Sequence, residues 1–242
     1  MDSNYSLPPH VNRKIGRAMH DYSMLDDGDR VMIAVSGGID SLTLAWILKS
    51  WRKKAPISFE VMVQVIDHGF WRDHAGVADP GESIGKQLER FAITYAIDSA
   101  WERMDQLKSC FQCARDRRSQ LFDLARQRGF NKIALGHHMD DLIETFFLNI
   151  LYSGNISTMV PVQKLFGGNL VLIRPMAYLD KNEVMMVGGD LGFLPVENFC
   201  PFSDKGRRGS VRKLLASLYD KNPLAKKSIF AALANIRSEY ML

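Results

Sequence analysis

The apolar run Val31-Met32-Ile33-Ala34-Val35 leads directly into Ser36-Gly37-Gly38-Ile39-Asp40-Ser41, after which residues 42–51 read as a helix. A run this short, β-branched and free of polar alternation marks a strand covered on both faces, as in a parallel sheet. Strand, glycine-rich turn and helix in immediate succession constrain the fold more than any other stretch of the chain. The same alternation continues along the sequence. Strands are expected at 59–66, 92–97, 132–135 and 170–174. Helices are expected at 82–90, within 110–128 with Gly129 closing it, at 140–151 and at 181–191. Parallel strands joined by helical crossovers place helices on both faces of the sheet. The expected fold class is therefore α/β, an open, mostly parallel, doubly wound sheet with helical N- and C-terminal additions. The expected division is a helical extension at 1–25 packed outside the sheet, a main domain at 26–200 and a basic helical extension at 201–242.

Composition narrows the class. Of 242 residues, 46% are hydrophobic and 24% charged, which excludes a disordered, collagen-like or fibrous chain. No apolar run approaches the ~18–20 residues that a membrane span needs, and MDSNYSLPPHVNRK at the start has no signal-peptide core. Three cysteines do not close into disulfide pairs, so the expected compartment is the reducing cytoplasm. The net charge of +4 hides an uneven distribution. Residues 205–237 hold nine Lys and Arg, among them Arg207, Arg208, Arg212 and Lys213, against one acid, Asp220. A second cluster, Arg115, Arg117 and Arg118, follows the first cysteine pair. Such clusters suit a polyanion, because each phosphate neutralised releases counterions. They equally suit a solvated helix face.

Chemistry concentrates at the loop 36–41. Gly37 and Gly38 let the backbone approach a ligand closely, and successive N–H groups at a helix N-terminus form an anion nest. Ser36 and Ser41 can donate hydroxyl hydrogen bonds to phosphate, and Asp40 can hold Mg²⁺ against the same phosphates. No Lys follows the glycines, so the loop is not the GxxxxGK[ST] cradle of kinases and GTPases. A second candidate stretch is Gly136-His137-His138-Met139-Asp140-Asp141, at the carboxyl end of a strand, where open α/β sheets bind ligands. Asp140 and Glu144 stand one helical turn apart. Asp140 reads either as an N-cap or as a ligand contact, His137 either as a core histidine or as a site residue, and Asp67 either as a strand-ending turn residue or as a flank of the site.

Cys110-Phe111-Gln112-Cys113 fits three readings, a redox dithiol, half of a metal site, or an incidental pair. Only Cys200 remains as a further thiol, one short of the four ligands of a structural Zn²⁺ site unless a histidine joins. Three thiolates with one open position suit a [4Fe–4S] cluster.

Taken together these segments resemble the PP-loop ATPases and, among them, the tRNA 2-thiocytidine synthetase family. The resemblance runs almost end to end, through AMHDYSMLDDGDRVMIAVSGGIDSLTL, KKAPISFEVMVQVID, the Cys110–Cys113 segment with Arg117-Arg118, KIALGHHMDDLIETFFLNILYSG, VLIRPMAYLDKNEV and Cys200. It implies a PP-loop domain of the HUP type, related to the adenine nucleotide alpha hydrolases. It implies that Ser36, Gly37, Gly38, Asp40, Ser41, Asp67, Gly136, His137 and Asp141 contact ATP, with Mg²⁺ on Asp40 and Asp141. It further implies that Cys110, Cys113 and Cys200 hold a [4Fe–4S] cluster, and that Asp40 and these cysteines carry the chemistry. The reaction implied is ATP-dependent adenylation of C2 of a cytidine at tRNA position 32, followed by replacement of its oxygen with sulfur. Partners implied are tRNA, held by Arg117, Arg118, Arg207, Arg208, Arg212 and Lys213, a sulfur donor such as a cysteine desulfurase, and a second copy in a homodimer. Two departures stand out. The second cysteine site reads Cys200-Pro201-Phe202-Ser203 where the family repeats CxxC, and Ile39 occupies a loop position that usually carries Lys. Segments 67–86 and 203–210 also differ from the family pattern. Two other readings keep the ATP site. One is a relative acting on another nucleoside or a small molecule, and the other is an iron–sulfur sensor that binds ATP without turnover.

Overall fold

The computed structural model describes residues 5–74, 78–101, 110–197, 207–237 and 239. Its centre is a six-stranded sheet in the order β3-β2-β1-β4-β6-β5. The strands are β1 (Arg30–Val35), β2 (Glu60–Asp67), β3 (Tyr95–Ser99), β4 (Lys132–Ala134), β5 (Val162–Leu165) and β6 (Leu170–Ile173). All neighbours pair in parallel except β5 with β6, which form an antiparallel edge. The helices are α1 (Pro9–Asp21), α2 (Ile39–Trp51), α3 (Pro80–Glu89), α4 (Cys110–Gln127), α5 (Met139–Ser153), α6 (Lys181–Asp190), α7 (Arg207–Lys221) and α8 (Ala225–Ala232).

The period of two along the strands sorts side chains into two layers. Met62, Met32, Ile133 and Leu172 align in one row across the sheet and pack with Leu121, Leu124 and Ala125 of α4. On the other face, Val63, Ile33, Ala134 and Ile173 form a parallel row that belongs to a larger cluster with α1, α2, α3 and α6. Helix α2 is apolar almost all round, and Leu42, Leu44, Ala45, Ile47 and Leu48 are fully buried. A helix with no polar face must be enclosed, and α1 and α6 enclose it. One face of α1 (Val11, Ile15 and Ala18) belongs to this same core, so the N-terminal helix shares the main hydrophobic cluster. A third, smaller cluster joins Ile143 of α5 to Val211 and Leu215 of α7, with Ile229 and Phe230 of α8 packed against it.

Strand order decides where a ligand can sit. From β1 the chain moves outward through β2 to β3, then returns to lay β4 on the opposite side of β1. The connections leaving β1 and β4 therefore diverge to opposite faces of the sheet. They leave a crevice between their carboxyl ends, the usual ligand position in such sheets. Both motifs singled out in the sequence, 36–41 and 136–141, open into it.

Candidate active site

The loop after β1 turns on its two glycines. Gly37 takes φ +83, a left-handed conformation that glycine adopts without strain. Gly38 caps α2 in an extended conformation, and a Cβ built on it would meet only Ser36 Oγ, at 3.7 Å. The first N–H groups of a helix lack intrahelical acceptors, the arrangement that binds anions at helix starts. Ser41 works inside the loop. Its hydroxyl donates to the Gly38 carbonyl at 2.8 Å and accepts from the Ser36 N–H at 3.2 Å, and Ser36 Oγ lies 3.4 Å away.

The loop after β4 presses directly on this structure. A Cβ on Gly136 would lie 3.1 Å from Ser41 Cα and 3.2 Å from the Asp40 carbonyl carbon, so a side chain there would make the two backbones give by a few tenths of an ångström. His137 lies behind the crevice, with its Nδ1 accepting a hydrogen bond from Arg174 Nε at 3.1 Å. Burial first, and then the neighbouring Arg174 charge, push the His137 pKa down to about 4, so the imidazole is neutral at neutral pH. Asp141 caps α5, where its carboxylate accepts from the His138 N–H at 3.1 Å.

The residue at the centre of the acidic group is His138, which is buried. Its Nε2 lies 3.3 Å from Asp141 and 3.8 Å from Asp40, and its Nδ1 lies 3.6 Å from Asp140. Two lysines close the arrangement. Lys181 Nζ donates to both oxygens of Asp40, at 2.6 and 2.7 Å, and the Lys181 backbone N–H donates to Asp140 at 2.8 Å. Lys226 of α8 donates to the other Asp140 oxygen at 2.6 Å. Burial disfavours charge on Asp140, but His138, Lys226 and the Lys181 N–H outweigh it and hold the carboxyl well below the usual carboxylate range. Sequence reasoning missed His138, Lys181 and Lys226 as members of this site. Only His138, adjacent to His137 in the motif, carried a sequence signal.

The basic C-terminal stretch divides by role. Arg212 donates to the buried Glu144 of α5 at 2.7 Å, and Arg208 lies 3.7 Å from the other oxygen of that carboxylate. The Arg207 guanidinium lies over the Tyr152 ring, 4.8 Å from its centroid. Lys213 is exposed, as are Lys221 and Lys227. Arg212 of α7 and Lys226 of α8 thus pair with acids of α5, Glu144 and Asp140.

Asp67 ends β2 as a turn residue. One of its oxygens accepts from the Gly69 N–H at 2.7 Å, and the other lies 2.7 Å from Arg72. Cys110 opens α4, and Cys113 in its first turn lines a small pocket with His68, Trp101, Asp116 and Arg117. Thiol sulfur is the donor that an iron–sulfur cluster takes, and in this respect Cys113 fits one. Cys200, the third expected ligand, lies outside the described residues. Arg117 and Arg118 are exposed on α4. Among the described residues no three His, Cys, Asp or Glu side chains group as a metal site. A nucleotide-bound Mg²⁺ demands less, commonly one or two carboxylates plus phosphate oxygens. Asp40 and Asp141, 3.8 and 3.3 Å from His138 Nε2, are carboxylates of the kind that demand takes.

Comparison with known proteins shows the family and the fold. A family model described as a PP-loop domain matches residues 7–193. The tRNA-cytidine(32) 2-sulfurtransferase of Geotalea uraniireducens is 36% identical over 236 residues, covering 96% of this chain and 93% of that protein. The tRNA-cytidine(32) 2-sulfurtransferase of Geotalea daltonii is 35% identical over 248 residues, covering 98% and 95%. Among solved structures, the U34-tRNA thiolase NcsA from Methanococcus maripaludis, determined with its [4Fe–4S] cluster, superposes with a TM-score of 0.76. That match has 21% identity and covers 96% of this chain and 79% of the thiolase, which establishes a shared fold.

Proposed function

Because this chain belongs to the PP-loop domain family and, within it, to the tRNA-cytidine(32) 2-sulfurtransferases, we propose that it uses ATP to replace the C2 oxygen of a tRNA cytidine with sulfur. The observation that carries this reading is the meeting of two loops at one crevice. The glycine-rich loop at 37–41 and the acidic, histidine-centred turn at 136–141 are brought together by the close approach at Gly136.

The N–H groups of the loop 37–41 would receive the ATP phosphates, and Asp40 and Asp141 would hold Mg²⁺, which supplies charge neutralisation when bound. The C2 oxygen of cytidine 32 attacks the α-phosphorus, and the bond to the β-phosphate oxygen breaks. Pyrophosphate leaves against the loop's donors, which are already oriented toward the charge that develops. Sulfur then adds at C2 as hydrosulfide, losing its proton, and AMP departs with the former C2 oxygen. Where the donor is a cysteine desulfurase, its persulfide sulfur is first reduced to hydrosulfide by two electrons from a thiol reductant. His137, neutral and fixed by Arg174, keeps the loop after β4 in place. Cys110, Cys113 and Cys200 would hold a [4Fe–4S] cluster, which when bound supplies an open iron position for sulfur. Arg117 and Arg118 on α4 and Arg207, Arg208 and Lys213 on α7 contact the RNA backbone, with Arg212 fixing α7 through Glu144. The target base is splayed from its loop into the crevice, as single-stranded RNA bases are when read or modified.

Pyrophosphate release tests this reading. Purified protein with ATP and Mg²⁺ should release pyrophosphate and AMP only when tRNA bearing an unmodified cytidine 32 is added. Release with free nucleoside but not with tRNA would contradict it.

A further inference from the structure

We propose that Lys181 is the phosphate-binding cation of the loop 36–41, delivered by α6, which packs on α2. The proposal rests on the ATP-binding reading above and assigns the residue that neutralises the pyrophosphate portion of the nucleotide.

The loop Ser36-Gly37-Gly38-Ile39-Asp40-Ser41 contains no Lys or Arg, and its one charge is negative. A nest of N–H groups can orient a triphosphate, but partial charges alone offset only part of its negative charge. Ile39 is 8% exposed and belongs to the main hydrophobic cluster, so the side chain at that position faces the core and cannot serve the nest. The structure brings a cation from elsewhere. Lys181 is the first residue of α6, 141 positions beyond Asp40, yet its ammonium meets both Asp40 oxygens at the start of α2.

Three features fix it there. Gly188 allows α6 to lie directly on α2, since a Cβ at that position would fall 2.6 Å from Ile39 Cγ1 and 2.7 Å from Thr43 Oγ1. A capping box, in which Asp180 accepts from the Glu183 N–H and Glu183 from the Asp180 N–H, sets the start of the helix. The Lys181 N–H is anchored on Asp140. The backbone is thus held at both edges of the crevice while the side chain remains 41% exposed. A long, partly exposed ammonium held by one carboxylate beside an anion nest can transfer its hydrogen bonds to an arriving phosphate. That transfer frees Asp40 for the nucleotide's Mg²⁺, so the two groups bind phosphate and metal side by side.

The experiment measures the binding of ATP, inorganic pyrophosphate and AMP by calorimetry to the wild-type protein, Lys181→Ala and Lys181→Arg. One lost charge-assisted contact should weaken ATP and pyrophosphate by about ten- to a hundred-fold in Lys181→Ala. AMP affinity should change by less than about two-fold, because AMP lacks the phosphates concerned. Lys181→Arg should recover most of the pyrophosphate binding. Unchanged pyrophosphate affinity in Lys181→Ala would overturn the proposal, as would an equal loss for AMP and pyrophosphate, which marks a collapsed crevice. Wild-type protein that binds neither ATP nor pyrophosphate would overturn the ATP reading itself, and this assignment with it.

Discussion

A Cβ on Gly136 would stand 3.1 Å from the Cα of Ser41, across a gap that joins the connection after β4 to the first turn of α2. The obstacle is backbone on the facing side, which cannot rotate away as a flexible side chain can. Gly136→Ala should therefore push the two loops apart and cost about 1–3 kcal/mol of stability. ATP affinity should fall at least about ten-fold, because the nest and the acidic turn no longer share one crevice. Urea unfolding together with ATP titration checks both, and a variant with wild-type ATP affinity would refute the shared crevice.

Glu144 is buried and faces Arg212. The Arg212 side chain is 60% exposed, so solvent screens the pair, and Arg212→Ala should destabilise by about 1 kcal/mol. Arg208, 3.7 Å from the same carboxylate, limits the loss. The double change Arg212→Leu with Glu144→Gln should recover part of it. Limited proteolysis should find α7 and α8 cleaved faster in Arg212→Ala, and unchanged cleavage would show that the pair does not anchor them.

His137 gives a pH signature. Its pKa in the folded protein is pushed down to about 4 by burial and Arg174, whereas an unfolded histidine titrates near 6.5. Between these values the unfolded chain binds a proton that the folded chain refuses. Stability is fully present above about 6.5 and declines as pH falls toward 4. His137→Gln should lack this decline. Asp140 acts lower. Its depressed pKa contributes stability above the ordinary carboxylate value of 3.8, lost as pH falls below it. Melting temperatures at pH 4 to 7 for the wild type and His137→Gln check the separation, and parallel profiles would contradict a neutral, buried His137.

Anaerobically purified protein should contain about four irons per chain, with matching sulfide. The iron should be lost in Cys110→Ala, Cys113→Ala and Cys200→Ala. Zinc, or a full cluster in any one of these variants, would contradict the three-thiolate assignment.

How much of this was legible in the sequence differs from element to element. β1, its glycine turn and α2 were plain, because an unbroken apolar run followed by glycines has few alternatives. β3 begins at Tyr95 rather than 92, because the Ile93 N–H bonds back to Leu88 and Ala92 takes φ 51, so these residues complete the exit from α3. β5 went unseen. Its four residues, Val162-Gln163-Lys164-Leu165, form an exposed antiparallel edge, and Gln163 and Lys164 interrupt any apolar run. Both loops of the site were legible as motifs. The cations were not, because a basic residue in a charged stretch carries no mark of the acid it will meet. Lys181 reaches Asp40 only because α6 packs on α2, and Lys226 reaches Asp140 only because α8 folds back on α5. The run at 205–237 reads as one surface in the sequence, whereas in the fold Arg212 and Lys226 pair with Glu144 and Asp140 of α5.

The most direct test of thiolation is mass spectrometry of nucleosides from tRNA of cells lacking this protein. The account predicts that 2-thiocytidine at position 32 disappears, that the wild-type gene restores it and that a gene carrying Cys113→Ala does not. An undiminished level of 2-thiocytidine in cells without the protein would contradict the account.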